Sequence, residues 1–208
     1  MTDGLMVAAV LLVVGPVVGG VAASSPALFP VWAAPRERHL ALVGANPRAW
    51  VAINAGFMVA TVVTAAGLAV LAGAIDLADG PRAVLAAAAV VYAIAGSRWC
   101  AVLAIRTRST PALAALVAAG ASTEPAETLL GAALGGLFAA FALATGAALV
   151  AIGLTLAMSG SVAAPVAWVA TLIQAVVVAG FLASGDSIPA VLYLPTMLVG
   201  LALLLGWW

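Results

Sequence analysis

The chain has 208 residues, 66% of them hydrophobic and 7% charged, with a formal net charge of zero and a mean hydropathy of +1.29. An ordinary soluble domain carries about 25% charged residues, so the bilayer is the natural solvent for this composition, and a neutral chain offers no electrostatic footprint to nucleic acid. The basic residues are Arg36, Arg38, Arg48, Arg82, Arg98, Arg106 and Arg108, with no lysine, which excludes a lysine Schiff base, a P-loop lysine and a lysine general base.

The expected fold is all-α, a polytopic transmembrane bundle in which 1–208 forms a single integral membrane domain. About 20 apolar residues cross the hydrocarbon core as a helix, and six stretches qualify. The first span is 5–23. Asp3 stands at its head in place of a basic leader, so it reads as a span and not as a signal peptide. Its "GPVVGG" places Gly15 and Gly19 four apart, a small-xxx-small pair for close helix packing. The loop that follows has three prolines before Arg36, and "PRERHLALVGA" within it predicts a short helix on the membrane surface. The second span, 50–74, carries Asn54. "IDLADGPR" then reads as a turn.

The third span is 83–105 and contains "YAIAGSRWCAVLAIR", with Arg98 well before the charged end. Cys100 is the single cysteine, so no internal disulfide forms, and it reads as a small packing residue. In the next loop an apolar patch at 111–119 is too short to span and is expected to lie at the interface or to re-enter. "STEPAE" then opens a helix: Ser122 or Thr123 caps it, Pro125 suits the first turn, and Glu124 and Glu127 complement the dipole. The fourth span, 129–158, carries Gly131 and Gly135, a second packing pair. The fifth is 162–183, with Gln174. Asp186 is expected to cap the sixth, 188–208, which carries Tyr193.

Five of the arginines outside the spans fall in the first and third loops and only Arg82 in the second, so those two loops are cytoplasmic and both termini are non-cytoplasmic. Trp32, Trp50 and Trp99 on one side and Trp207 and Trp208 on the other fit an interfacial belt; Trp168 fits it less well. Arginine-only basic usage with abundant alanine suggests a GC-rich bacterial genome, hence the bacterial cytoplasmic membrane. "GPVVGG" and "PRAWVA" in the first half are echoed by "GAALGG" and "PVAWVA" in the second. Two readings stand: an inverted three-helix repeat of the transporter kind, or packing and interface patterns that recur in any Ala- and Val-rich membrane chain.

Arg98 also has two readings. A snorkelling side chain beside Trp99 makes it an anchor. Set deeper, it joins Asn54, Glu127, Gln174 and Tyr193 in a cytoplasm-facing pocket for a small anionic or amphipathic ligand, with Arg98 as the fixed charge. Other chemistry is missing. His39 is the only histidine and sits in a loop, no span holds paired carboxylates, and Ser24 and Ser25 have no adjacent base. No catalytic residue, metal ligand set or cofactor site is expected. The first functional reading is therefore a non-catalytic accessory or structural subunit, contacting the lipid bilayer and other membrane subunits or forming a homo-oligomer. The alternatives are a small carrier or permease built around Arg98 and a membrane enzyme acting on a lipid.

Overall fold

The structure, a computed structural model, describes residues 2–32, 34–185 and 189–207. Among these the chain is all-helical: α1 (Asp3–Ala23), α2 (Arg36–Ala45), α3 (Pro47–Ala74), α4 (Asp79–Ala118), α5 (Glu124–Ser159), α6 (Ala164–Ser184) and α7 (Leu194–Leu204), with 3-10 turns at Phe29–Trp32 and Pro189–Tyr193. Five of these, α1 and α3 to α6, are long and apolar enough to cross a membrane, which makes the architecture that of a multi-pass membrane bundle.

Local chemistry sets the helix ends. Thr2 Oγ1 accepts the Leu5 amide hydrogen at 3.4 Å and caps α1. Prolines occupy the first turns of α3, α5, α6 and α7, where a missing N–H costs nothing. Gly160 and Gly185 close α5 and α6 at φ 67° and 72°, a conformation that glycine adopts without a Cβ penalty.

The helices close a ring. α1 packs on α3, α3 on α4, α4 on α5, α5 on α6, α6 on α7, and α7 back on α1; α2 lies against α4. One apolar cluster fills the end where the chain begins, around Leu5, Leu12, Leu71, Leu85, Leu156 and Leu203. A second, aromatic cluster fills the other half, around Trp50, Phe57, Trp99, Phe141 and Tyr193. Trp99 and Phe141 stack with centroids 5.0 Å apart, a pairing worth about 0.5–1.5 kcal/mol beyond the area it buries.

Several expectations change. The third span was placed at 83–105, but α4 runs to Ala118 and takes in the apolar patch at 111–119 with Pro111 inside it. That patch has a partner: Leu113 and Ala114 of α4 pack on Leu40 of α2, with Leu130 of α5 beside them. The loop shrinks to 119–123. α5 starts at Glu124 as the "STEPAE" signal predicts, although Thr123 at its cap makes no side-chain capping bond. The sixth stretch is not one helix. Pro195 has no N–H to donate to the Val191 carbonyl four residues back, and the chain runs as a 3-10 turn over Pro189–Tyr193 before α7 begins at Leu194. Asp186 lies outside the described residues. Trp50 and Trp99 do not form an interfacial belt: both are 1% exposed and belong to the aromatic core, whereas Trp168 and Trp207 are 45% and 53% exposed. The side chains of Trp32 and Trp208 lie outside the described residues. Cys100 is half-buried. The short helix predicted in the first loop is α2.

Candidate functional site

The five residues of the expected pocket separate. Arg98 is exposed. On α4 the buried positions are Tyr92, Ala95, Gly96, Trp99, Val102 and Leu103, and Arg98 follows Ile94 on the opposite face, where Ile94 and Ile105 are exposed too. Asn54 is buried, but its amide Nδ2 donates to the Trp50 carbonyl one turn back at 2.7 Å, so it is satisfied within α3. The side chain of Glu127 lies outside the described residues. Gln174 and Tyr193 do face the interior.

The glycine pairs also separate. A Cβ on Gly15 would collide with Thr64 Oγ1 and sit 3.0 Å from the Ala60 carbonyl oxygen. A Cβ on Gly19 would meet Ala60 and the Tyr193 ring at 3.3 and 3.5 Å. Gly131 and Gly135 have nothing within 4 Å of a Cβ, so they pack no helix among the described residues.

Gln174 and Tyr193 belong instead to a polar layer that crosses the ring. α1's start and α3's end share one end of the bundle, since a Cβ on Gly4 would lie 2.9 Å from the Cβ of Ala74. Counted from that end at about 1.5 Å per residue, Thr64 and Thr61 of α3, Tyr92 of α4, Thr145 of α5 and Gln174 of α6 all lie about 15–21 Å along their helices. Each is at most 2% exposed. The Tyr193 hydroxyl joins them, 2.7 Å from Thr61 Oγ1. Thr61 already donates its single hydrogen to the Phe57 carbonyl at 2.8 Å, so Tyr193 is the donor in that pair.

Part of the layer is not satisfied. Thr145 Oγ1 and both amide atoms of Gln174 are buried without a hydrogen-bond partner among the described residues, whereas Thr64 has the Tyr92 hydroxyl beside it and Trp99 has that of Tyr193. Leaving a buried polar group unpaired costs about 1–3 kcal/mol. The layer contains no charge, and it holds donors and acceptors together. A small uncharged molecule that both gives and takes hydrogen bonds, water included, matches that set.

A second polar concavity lies at the opposite, arginine-bearing end. A cavity of about 360 Å³ between α2, α4 and α5 is lined by His39, Arg106, Ser109, Thr110 and Gly131 over a leucine floor. Trp50 fixes two of these groups. Its Nε1 donates to the Arg106 carbonyl at 3.0 Å, the Arg106 guanidinium carbon lies 5.2 Å from its ring centroid, and the His39 ring meets it edge-on at 5.5 Å.

Sequence reasoning passed over Thr64, Tyr92, Thr145 and this use of His39 and Arg106. A signal was present for the layer: Thr61 and Thr64 stand three apart, hence on one helix face, inside an otherwise apolar run. Among the described residues, no group of three or more His, Cys, Asp or Glu side chains is placed to hold a metal ion. No protein-family model, no curated protein and no solved structure matches this chain.

Proposed function

We propose that the chain is a small permease of the bacterial cytoplasmic membrane, passing small uncharged hydrogen-bonding solutes through the centre of the helix ring. In this reading the Pro189–Tyr193 turn and α7 together make a sixth crossing, and both termini face away from the cytoplasm, as the arginine distribution favours. The observation that carries it is the mid-depth layer, where Thr145 and Gln174 keep buried polar atoms unpaired. The test is stopped-flow osmotic swelling of proteoliposomes in gradients of glycerol and of urea. Permeation above protein-free vesicles that Gln174→Leu removes is the expected result. Permeation equal to that of protein-free vesicles for water, glycerol and urea alike would refute the reading.

A second reading, an accessory subunit packed against other membrane chains, is favoured by the open face of Gly131, Gly135 and Gly136 on α5. It predicts a stoichiometric complex on mild detergent extraction, and substitution of Gly135 by leucine would disperse that complex.

A further inference from the structure

We propose that the outer face of α4 binds an anionic phospholipid, its headgroup held between Arg98 and Arg108 and seated in the groove that adjoins them. The proposal stands apart from the permease reading and rests on a different face of the molecule. Its first support is unanswered charge. Val84, Val91, Arg98, Ile105 and Ala112 recur every seventh residue of α4, a spacing that drifts by only about 20° per step around a straight helix. They are all exposed. Arg98 is thus a cation in an otherwise apolar stripe on the outside of the ring. Neither Arg98 nor Arg108, which is also exposed, has an ion-pair partner among the described residues. An arginine on a lipid-facing surface is costly unless it snorkels or meets an anion.

The second support is depth. α1 has 21 residues and is about 32 Å long, which matches a hydrocarbon core about 30 Å thick. Its last residues therefore mark the boundary of the core on the arginine-bearing side. α3 is level with that boundary at Gly56, where a Cβ would lie 2.7 Å from the Cβ of Ala22. Thr61 lies deeper, about 7–8 Å along α3, and it faces Gly96 of α4, where a Cβ would lie 2.8 Å from Thr61 Cγ2. α4 runs outward from Gly96, so Arg98 sits about 5 Å inside the boundary and Arg108 about 10 Å outside it. The headgroup layer, about 5–8 Å thick on each side, falls between them, within reach of both long side chains.

The third support is the groove. It holds about 750 Å³ and is lined by Met58 of α3 and by Ala104, Ile105, Arg108 and Ser109 of α4. Met58 lies at the boundary, Ala104 and Ile105 follow outward, and Arg108 and Ser109 come next. That order, apolar then polar, is the order of a phospholipid from its acyl carbons to its headgroup. Each guanidinium is a permanent cation with five N–H donors, and its charge-assisted, bidentate hydrogen bonds suit a phosphate.

The experiment is native mass spectrometry of the full chain released from nanodiscs of mixed phosphatidylglycerol and phosphatidylcholine. The expected result is preferential retention of one phosphatidylglycerol per chain. Arg98→Gln and Arg108→Gln are each expected to weaken that retention about tenfold, the loss of roughly one charge-assisted contact, and the double variant is expected to show no preference between the two lipids. Both positions are exposed, so melting in detergent is expected to stay as in the wild type. Ala104→Trp fills the groove from an exposed position and is expected to weaken retention as well. Arg82→Gln, at the opposite end of α4, is expected to leave it unchanged. Equal retention of the two lipids by the wild-type chain, or a preference insensitive to both arginine variants, overturns the proposal. A co-purifying membrane protein that Arg98→Gln releases while lipid retention stays unmoved does the same, because the anion is then a partner's carboxylate.

Discussion

Gly15 and Gly19 in α1 and Gly131 and Gly135 in α5 have the same four-residue spacing, the same apolar company and opposite surroundings. The first pair lies where α1 presses on α3 and on the Tyr193 turn. The second pair faces open space on α5, and Gly131 borders the cavity of the arginine-bearing end. α5 does approach α6 closely, but through glycines further along. Gly146 meets Val178 and the Gln174 amide, and Gly153 meets Thr171. A small-xxx-small pattern therefore states only that a close approach is permitted. Which glycine is used depends on where the partner helix supplies its own bulk, here threonines on both sides of the ring.

The sharpest break of this comparison is Gly15→Val. The new side chain meets Thr64 and the backbone of α3, where neither can withdraw without opening the α1–α3 contact. Overpacking of this kind costs about 1–3 kcal/mol and occasionally more, so the melting temperature in detergent is expected to fall sharply. Gly153→Val, against Thr171, is expected to cost a similar amount. An unchanged melt in both would mean that neither contact is tight.

Tyr193→Phe comes next. It removes the hydroxyl that donates to Thr61 but keeps the ring beside Gly19. A net loss of about 0.5–1.5 kcal/mol is expected, read as a modest drop in thermal stability. Gln174→Leu has the opposite sign. It replaces an unpaired amide by apolar volume, which is neutral or stabilising when nothing else depends on the amide, so the melting temperature is expected to hold or rise. The smallest effects belong to the open positions. Gly135→Val and Arg98→Ala are each expected to shift stability by about 0.5 kcal/mol or less, as exposed substitutions do. A large loss at Gly135 in the isolated chain would contradict its open surroundings, and a large loss at Arg98 would restore the paired-cluster reading of that residue.

Much of the fold was legible because apolar run length sets helix existence in a membrane chain. The spans at 5–23, 50–74 and 129–158 lie within α1, α3 and α5, the span at 162–183 overlaps α6, and the short helix predicted in "PRERHLALVGA" is α2. The failures have physical causes. "PALAALVA" was too short to cross a membrane, yet it is a good helix sequence with α2 to pack on, so α4 simply continued. The sixth stretch is apolar throughout, but Pro195 supplies no N–H to the turn before it, and that turn is 3-10, which hydropathy does not register. Tryptophan was read by its preference for interfaces, whereas Trp50 and Trp99 find ring partners and bury themselves. Gln174 and Tyr193 are buried inside the bundle. Helix phase was not read for Arg98, whose neighbours Ala95, Trp99 and Val102 take the inward face. Threonine escaped notice because it is small and common in membrane helices, although Thr64 and Thr145 are buried as deeply as Gln174.

The central claim is that the mid-depth polar layer exists to receive a polar solute and not to hold the bundle together. The most direct test compares wild-type chain and Gln174→Leu in proteoliposomes, with glycerol permeation and thermal melting measured on the same preparations. The account predicts that permeation falls to the protein-free level while melting holds or rises, which separates solute handling from stability. A variant that melts lower and permeates as before would show Gln174 to be a structural contact, and the claim would fail.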